Sequence, residues 1–380
     1  MRNRLGNIDG LRGIAATLVL FQHLCERADS LAPPGTHAAH SVAAAFLTFI
    51  DLGKVGVVTF FAISGFVVPF SFKDETGGSG FILSRFFRLY PAYWLSLLLA
   101  VLILPTVSAA KLTAPQIFAN VTMLQEAVHS ADVLSVYWTL FVELLFYALC
   151  LAMYKTRCLH SPRALFVAFC LLLSLSIAGS LLRSRGHAQF PVAIPLYLAT
   201  MLFGTEVRLA RFEGNPLAPP FALTMLPLLA IAIPAVWMTA YGESSHRETA
   251  AADIFGFYLA LALFLLCVMR NSFAARPLIY LGSISYSVYL FHPIALDVGS
   301  LLAARARWPL AGWLLALSTL ALTFAVAHLT FVTLERPMIR IGRKVATWLE
   351  VMRAAPPEAR TASANDDAGS GPAAFRGPDG

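Results

Sequence analysis

Charge is scarce in this chain: Asp, Glu, Lys and Arg make up 13% of its 380 residues, about half the share of an ordinary soluble domain. With 58% hydrophobic residues beside that deficit, the composition excludes a water-soluble globule and makes the bilayer the solvent. Cysteine is scarce too. The five (Cys25, Cys150, Cys158, Cys170 and Cys267) fall mainly in or beside apolar runs with no short paired spacing, so neither a disulfide framework nor a metal site is indicated. A small-residue cleavage pattern is missing after the first apolar run, and that run holds Asp9, Arg12, Gln22 and His23, for which a disposable targeting segment has no use. Alternating segments of the transmembrane-barrel kind are missing as well, since whole stretches such as Leu97 to Leu104 are apolar. No internal repeat is visible.

What is present is a series of apolar stretches of the length that crosses a ~30 Å hydrocarbon core as a helix. They lie near residues 8–27, 47–72, 86–105, 136–154, 164–182, 192–207, 219–240, 252–269, 277–302 and 310–334. The expected fold is all-α, a polytopic transmembrane bundle of about ten helices. With the N-terminus inside, 17 Lys and Arg near the membrane fall on the inner side, among them Lys73, Arg85, Arg88 and Arg336, against 7 outside, including Arg247 and Arg305. The positive-inside rule then puts both termini in the cytoplasm, and the net charge of +7 follows from topology and calls for no nucleic acid. The expected division is a membrane domain over 1–345 and a cytoplasmic tail over 346–380, rich from about residue 354 in Ala, Pro, Gly, Ser and Asp and read as disordered.

Ionisable groups inside such a bundle cost several kcal/mol unless paired or hydrated, so each is a functional candidate. Arg12 and His23 are eleven residues apart, roughly three turns and about 16 Å on one helix face, which links two depths of the membrane. Arg85 and Arg88, three apart, share a side of the third span; they suit either a phosphate clamp or a positive-inside anchor. Glu143 is a lone carboxylate in the run from Tyr137 to Met153. Its candidate partners are His23, which it would tune as a base, or Tyr147 one turn on. Ser285, Tyr289 and His292 share a face of the ninth span and either line a cavity or bond neighbouring helices. His328 reads as a structural histidine.

Several motifs together resemble the acyltransferase 3 family of membrane O-acyltransferases. Asn7 to Gly13 (NIDGLRG), with His23 following Arg12 after ten residues, is similar to the family's Arg/Lys-x10-His signature. Phe60 to Phe66 (FFAISGF) resembles its FFxxSG element, and Arg85 to Pro91 (RFFRLYP) its RxxR motif. Trp138 to Tyr147 (WTLFVELLFY) is similar to WSLxxExxFY, with Thr139 keeping the hydroxyl of the usual Ser. Leu281 to His292 resembles GxxSYxxYLxH, and Glu335-Arg336-Pro337 the closing ExP.

The resemblance covers nearly the whole chain and implies transfer of an acyl group, acetyl first among them, from cytoplasmic acyl-CoA to a hydroxyl of an extracytoplasmic or lipid-linked carbohydrate, in a bacterial inner membrane. Acyl-CoA enters as co-substrate, and no bound cofactor or metal is expected. His23 and Glu143 are the catalytic candidates, and Arg12, Arg85 and Arg88 the acyl-CoA-binding ones. Asp9, Ser64, Trp138, Ser285, Tyr286, Tyr289 and His292 are the expected lining of the substrate cavity. Besides the acyl-CoA donor, the implied partners are a carbohydrate or glycolipid acceptor and membrane lipids. Two rival functions remain compatible with the residues alone: a carrier of a glycan or small anion, for which an intramembrane His and Glu would also serve, and a non-catalytic scaffold.

Overall fold

Helix boundaries follow capping chemistry in the computed structural model, which describes residues 2–31, 49–72, 77–107, 111–186, 191–241, 244–245, 248–270, 273–304, 306–307 and 310–354. After α1 (Arg2–Leu31), Asp51 caps α2 (Leu52–Val67) by accepting the Lys54 N–H at 2.6 Å, satisfying one of the donors that every helix start leaves open. A short 3₁₀ turn, Val68–Ser71, leads towards α3 (Gly77–Val107). Thr113 caps α4 (Ala114–Val121), and α5 (Trp138–Lys155) follows; Ser161 then caps α6 (Pro162–Ser184), with Pro162 at its first position. Then come α7 (Ala193–Arg211) and α8 (Ala218–Tyr241). Two-residue strands, Ser244–Ser245 and Glu248–Thr249, pair antiparallel before α9 (Ala250–Met269), which Thr249 caps. The chain closes with α10 (Arg276–Ala303), α11 (Leu310–Thr330), a π-helical turn at Phe331–Glu335 and α12 (Arg336–Ala354).

All ten expected stretches are helical, and among the described residues eight helices are long and apolar enough to cross a membrane. The other two are α1, 30 residues with several charges, and α7, 19 residues. Both are interior elements. Nearly every residue of α7 from Pro195 to Leu209 is buried, and α1 packs between α2 and α10 while also touching α11 and α9. A helix enclosed by other helices faces little lipid and has less need of an unbroken apolar surface.

Two boundaries differ from expectation. α3 begins at Gly77, well before the apolar stretch near 86, which places Arg85 and Arg88 inside a helix. At the other end the helical run passes through the π turn and on to Ala354, beyond the expected division at residue 345. Residues 355–380 of the expected tail lie outside the described residues, as do Lys73, Arg247 and Arg305.

Small residues set the closest approaches. A Cβ on Gly65 would strike the Met201 carbonyl, and one on Gly204 would strike the Ala62 carbonyl. α2 and α7 therefore meet backbone to backbone through a reciprocal glycine pair, as tightly packed membrane helices do. Thr205 fixes the same contact by donating to Gly65 O at 2.9 Å while bonding back to Met201 O.

Candidate active site

Two neighbouring cavities take up most of the expected site residues. The first, with an empty volume of about 650 Å³, is lined by Arg12, Ser64, Arg88, Glu143, Ser285, Tyr286 and Tyr289, with Phe60 and Phe61 among its apolar walls. Residues from five helices, α1, α2, α3, α5 and α10, thus converge where the sequence expected a substrate cavity. Arg12 and Arg88 bring two guanidinium groups, and Asp9 stands 3.7 Å from Arg12. Two of the expected lining groups also have local partners. Ser285 donates to Gly282 O at 2.8 Å, and Tyr286 donates to Leu89 O at 2.9 Å.

Arg85 is not in this cavity. Its Nη2 donates to Ser71 Oγ at 2.5 Å, and its guanidinium lies 5.4 Å from the centres of both the Phe81 and Tyr147 rings, a cation held by ring faces. It lines a neighbouring apolar groove between α3 and α5 that meets the first cavity at Leu89. The i, i+3 spacing puts both arginines on one side of a helix, yet they serve different spaces.

The second cavity is lined by Gln22, His23, Glu26, Lys54, Trp138 and Tyr289, among others. His23 Nδ1 lies 3.1 Å from Glu26 Oε2, and the imidazole stacks on His292 with ring centres 5.3 Å apart. The carboxylate beside His23 is therefore Glu26, one turn along its own helix. Glu143 instead accepts a hydrogen bond from Tyr147, the local alternative that the sequence left open. Glu26 is held in turn: Gln22 Nε2 donates to its Oε1 at 2.9 Å, and Gln22 Oε1 accepts the Leu52 N–H at 3.1 Å. This chain of bonds ties the pair to the start of α2. His292 is fully buried, with Nδ1 3.3 Å from Val288 O and no hydrogen-bond partner at Nε2 among the described residues.

Among the described residues, only Val57 and Tyr289 line both cavities. Tyr289 is fixed there by Thr139 Oγ1 at 2.9 Å and Val136 O at 3.2 Å, and Phe60 meets its ring edge-on. Elsewhere, Glu335 accepts from Ser287 and His328 pairs with Tyr280, both joining α10 to the α11–α12 run. Among the described residues no group of three His, Cys, Asp or Glu is placed to hold a metal ion.

A family model described as an acyltransferase domain matches residues 5–332. Nodulation protein 10 of Rhizobium leguminosarum bv. viciae is 24% identical over 357 residues, covering 88% of this chain and 93% of that protein. The exopolysaccharide production protein ExoZ of Rhizobium meliloti (strain 1021) is 28% identical over 311 residues, covering 77% and 91%. Acyltransferase MdmB of Streptomyces mycarofaciens is 32% identical over 97 residues, 26% of this chain and 23% of that protein. No solved structure matches.

Proposed function

Since the chain belongs to this acyltransferase family, we propose that it moves an acyl group, acetyl in the first instance, from cytoplasmic acyl-CoA to a hydroxyl of a carbohydrate or glycolipid on the far side of a bacterial inner membrane. The observation that carries the reading is the arrangement of the two cavities, one rich in arginine and one holding a histidine–carboxylate pair, which meet at Val57 and Tyr289. The name of one relative refers to exopolysaccharide production, which supports a carbohydrate acceptor.

Coenzyme A is polyanionic, and the forked donors of Arg12 and Arg88 match its phosphate oxygens. Arg85 supports that cluster from the adjoining groove. Glu143, in the same cavity as Arg12 and Arg88, balances their charge. The pantetheine arm then runs up the α1 face from Arg12 towards His23 and carries the thioester past Tyr289. With Nδ1 turned to Glu26, the Nε2 of His23 takes the proton of the acceptor hydroxyl as its oxygen attacks the thioester carbonyl. The C–S bond breaks, and the proton passes from the imidazolium to the leaving thiolate. Glu26 fixes the ring's tautomer and orientation, the task of a carboxylate behind a catalytic histidine.

The test is mass spectrometry of surface glycans and glycolipids from wild-type cells, a deletion and His23→Ala, with membrane levels of the protein matched. Loss of an ester-linked acyl mass in both mutants supports transfer and names the group. Full acylation in His23→Ala sinks the mechanism, and a fall in surface glycan with no change in acyl mass favours a carrier.

A further inference from the structure

Beyond His23 the second cavity continues into a cleft that the transfer chemistry leaves unused. Lys54 and Trp138 line both spaces, and the cleft, with an empty volume of about 860 Å³, extends from them to Tyr197, Trp237, Tyr241 and Asp253. Its walls are two aromatic pairs. Trp138 lies 5.5 Å from Tyr197, and Trp237 lies 5.5 Å from Tyr241, centre to centre. The back member of each pair is packed away, Tyr197 at 2% exposure and Trp237 at 4%, whereas Trp138 and Tyr241 are only partly buried, the Tyr241 ring also carrying the Arg183 guanidinium 4.5 Å from its centre.

Besides Glu126, the cleft is lined by two charged side chains placed together, Lys54 and Asp253. Asp253 is 5% exposed; its Oδ2 accepts the Trp237 indole N–H at 2.6 Å, while its Oδ1 accepts no hydrogen bond among the described residues and stands 3.5 Å from Lys54 Nζ. The Lys54 ammonium offsets the burial of that carboxylate, and both side chains line the cleft. That is an acceptor and a donor side by side, the pair that two adjacent hydroxyls of a sugar ring satisfy together. Flat aromatic surface above a small set of polar groups suits the same ligand, whose C–H face is apolar and whose rim is all hydroxyl.

We propose that this cleft is a second sugar subsite. The ring next to the one being acylated lies against Trp138 and Tyr241, with its hydroxyls on Asp253 and Lys54, so the acceptor is a glycan of at least two linked rings. The proposal rests on the transfer reading above and adds the acceptor's size and the groups that select it.

The experiment compares wild type, Tyr241→Ala, Tyr241→Phe, Asp253→Asn and His23→Ala by two readouts: acyl ester on the surface glycan by mass spectrometry, and coenzyme A binding to the detergent-purified protein by calorimetry. Expected is a fall in ester of about tenfold or more in Tyr241→Ala and Asp253→Asn, the factor that one lost contact of roughly 1.4 kcal/mol produces. Tyr241→Phe keeps its ester, and all the variants bind coenzyme A within about twofold of wild type, since the cleft lies apart from the arginines. Undiminished ester in Tyr241→Ala and Asp253→Asn, with His23→Ala abolishing it, overturns the subsite and leaves transfer standing. Loss of coenzyme A binding in step with ester also overturns it, because the cleft would then matter only to folding. Ester retained in His23→Ala removes the transfer reading and the subsite with it.

Discussion

His23 and Glu26 face each other across one turn of α1, with Nδ1 and Oε2 3.1 Å apart, so the histidine carries its own carboxylate and owes nothing to Glu143 for its orientation. The prediction separates the two acids. Glu26→Gln should slow transfer by about 10- to 100-fold with coenzyme A binding intact, whereas Glu143→Gln should slow it less. Initial rates with purified protein and acetyl-CoA decide the matter, and equal losses in the two variants would contradict the assignment.

Arg85 and Arg88 should also come apart. Arg88 lines the first cavity, and its replacement by Ala should weaken coenzyme A binding by about tenfold or more and flatten its dependence on salt. Arg85 is wedged against Phe81, Tyr147 and Ser71, so Arg85→Ala should lower the thermal midpoint more than Arg88→Ala does. Calorimetry and melting curves on both variants check the pairings.

These two cases also show how far the sequence could be read. Ten apolar stretches were enough to place ten long helices, because each must bury its backbone polar groups within itself, and the motifs supply every described residue lining the first cavity except Val57. Which carboxylate meets His23 was not legible by the same means. Glu143 stood out because it was alone in an apolar run, but Glu26, at i+3 from His23, already had the spacing that brings side chains together on a helix. Neighbours on one helix can be inferred from spacing; those on different helices depend on how the bundle packs. Thus Tyr289 between two cavities, and Lys54 beside Asp253, left no mark in the linear pattern.

The glycine of the FFAISGF stretch is predicted to matter for assembly. A side chain on Gly65 would collide with the Met201 carbonyl of α7, and backbone does not move aside as a flexible side chain can. Gly65→Val should leave little monodisperse protein after detergent extraction, while Ser64→Ala, one residue away in the same motif, should extract normally. Size-exclusion profiles of the pair distinguish packing from chemistry.

Glu206 is a burden on stability. It is fully buried on α7, and neither carboxyl oxygen has a hydrogen-bond partner among the described residues. Replacing a buried, unpaired carboxyl by an apolar group of similar shape is stabilising, so Glu206→Met should raise the thermal midpoint by about 2–4 °C. A drop would show that the carboxyl has a partner in the membrane-embedded protein.

Stability should also respond to pH through Asp132, in the loop between α4 and α5. Burial raises this carboxyl from 3.8 to about 7, with nearby Glu126 adding to the shift and the hydrogen bond from Gln125 opposing it. Between those values the folded chain holds a proton that the unfolded chain has lost, so this group's contribution to stability falls as pH rises from about 4 to about 7. Asp132→Asn should remove that part of the slope and melt higher than wild type at pH 8, with little difference at pH 4. Melting curves at the two pH values test it.

Val57 and Tyr289, the shared wall of the two cavities, bear on the energy economy of the cell as well as on acyl transfer. An open passage from the arginine cavity to the histidine cavity would be a water-filled pore with titratable groups along it, and it would drain the proton gradient. With Tyr289 pinned by Thr139 and Val136, the wall is held in place, and on the proposed transfer reading a thin thioester arm is all that would have to pass it. Without the Tyr289 ring the two spaces would run together.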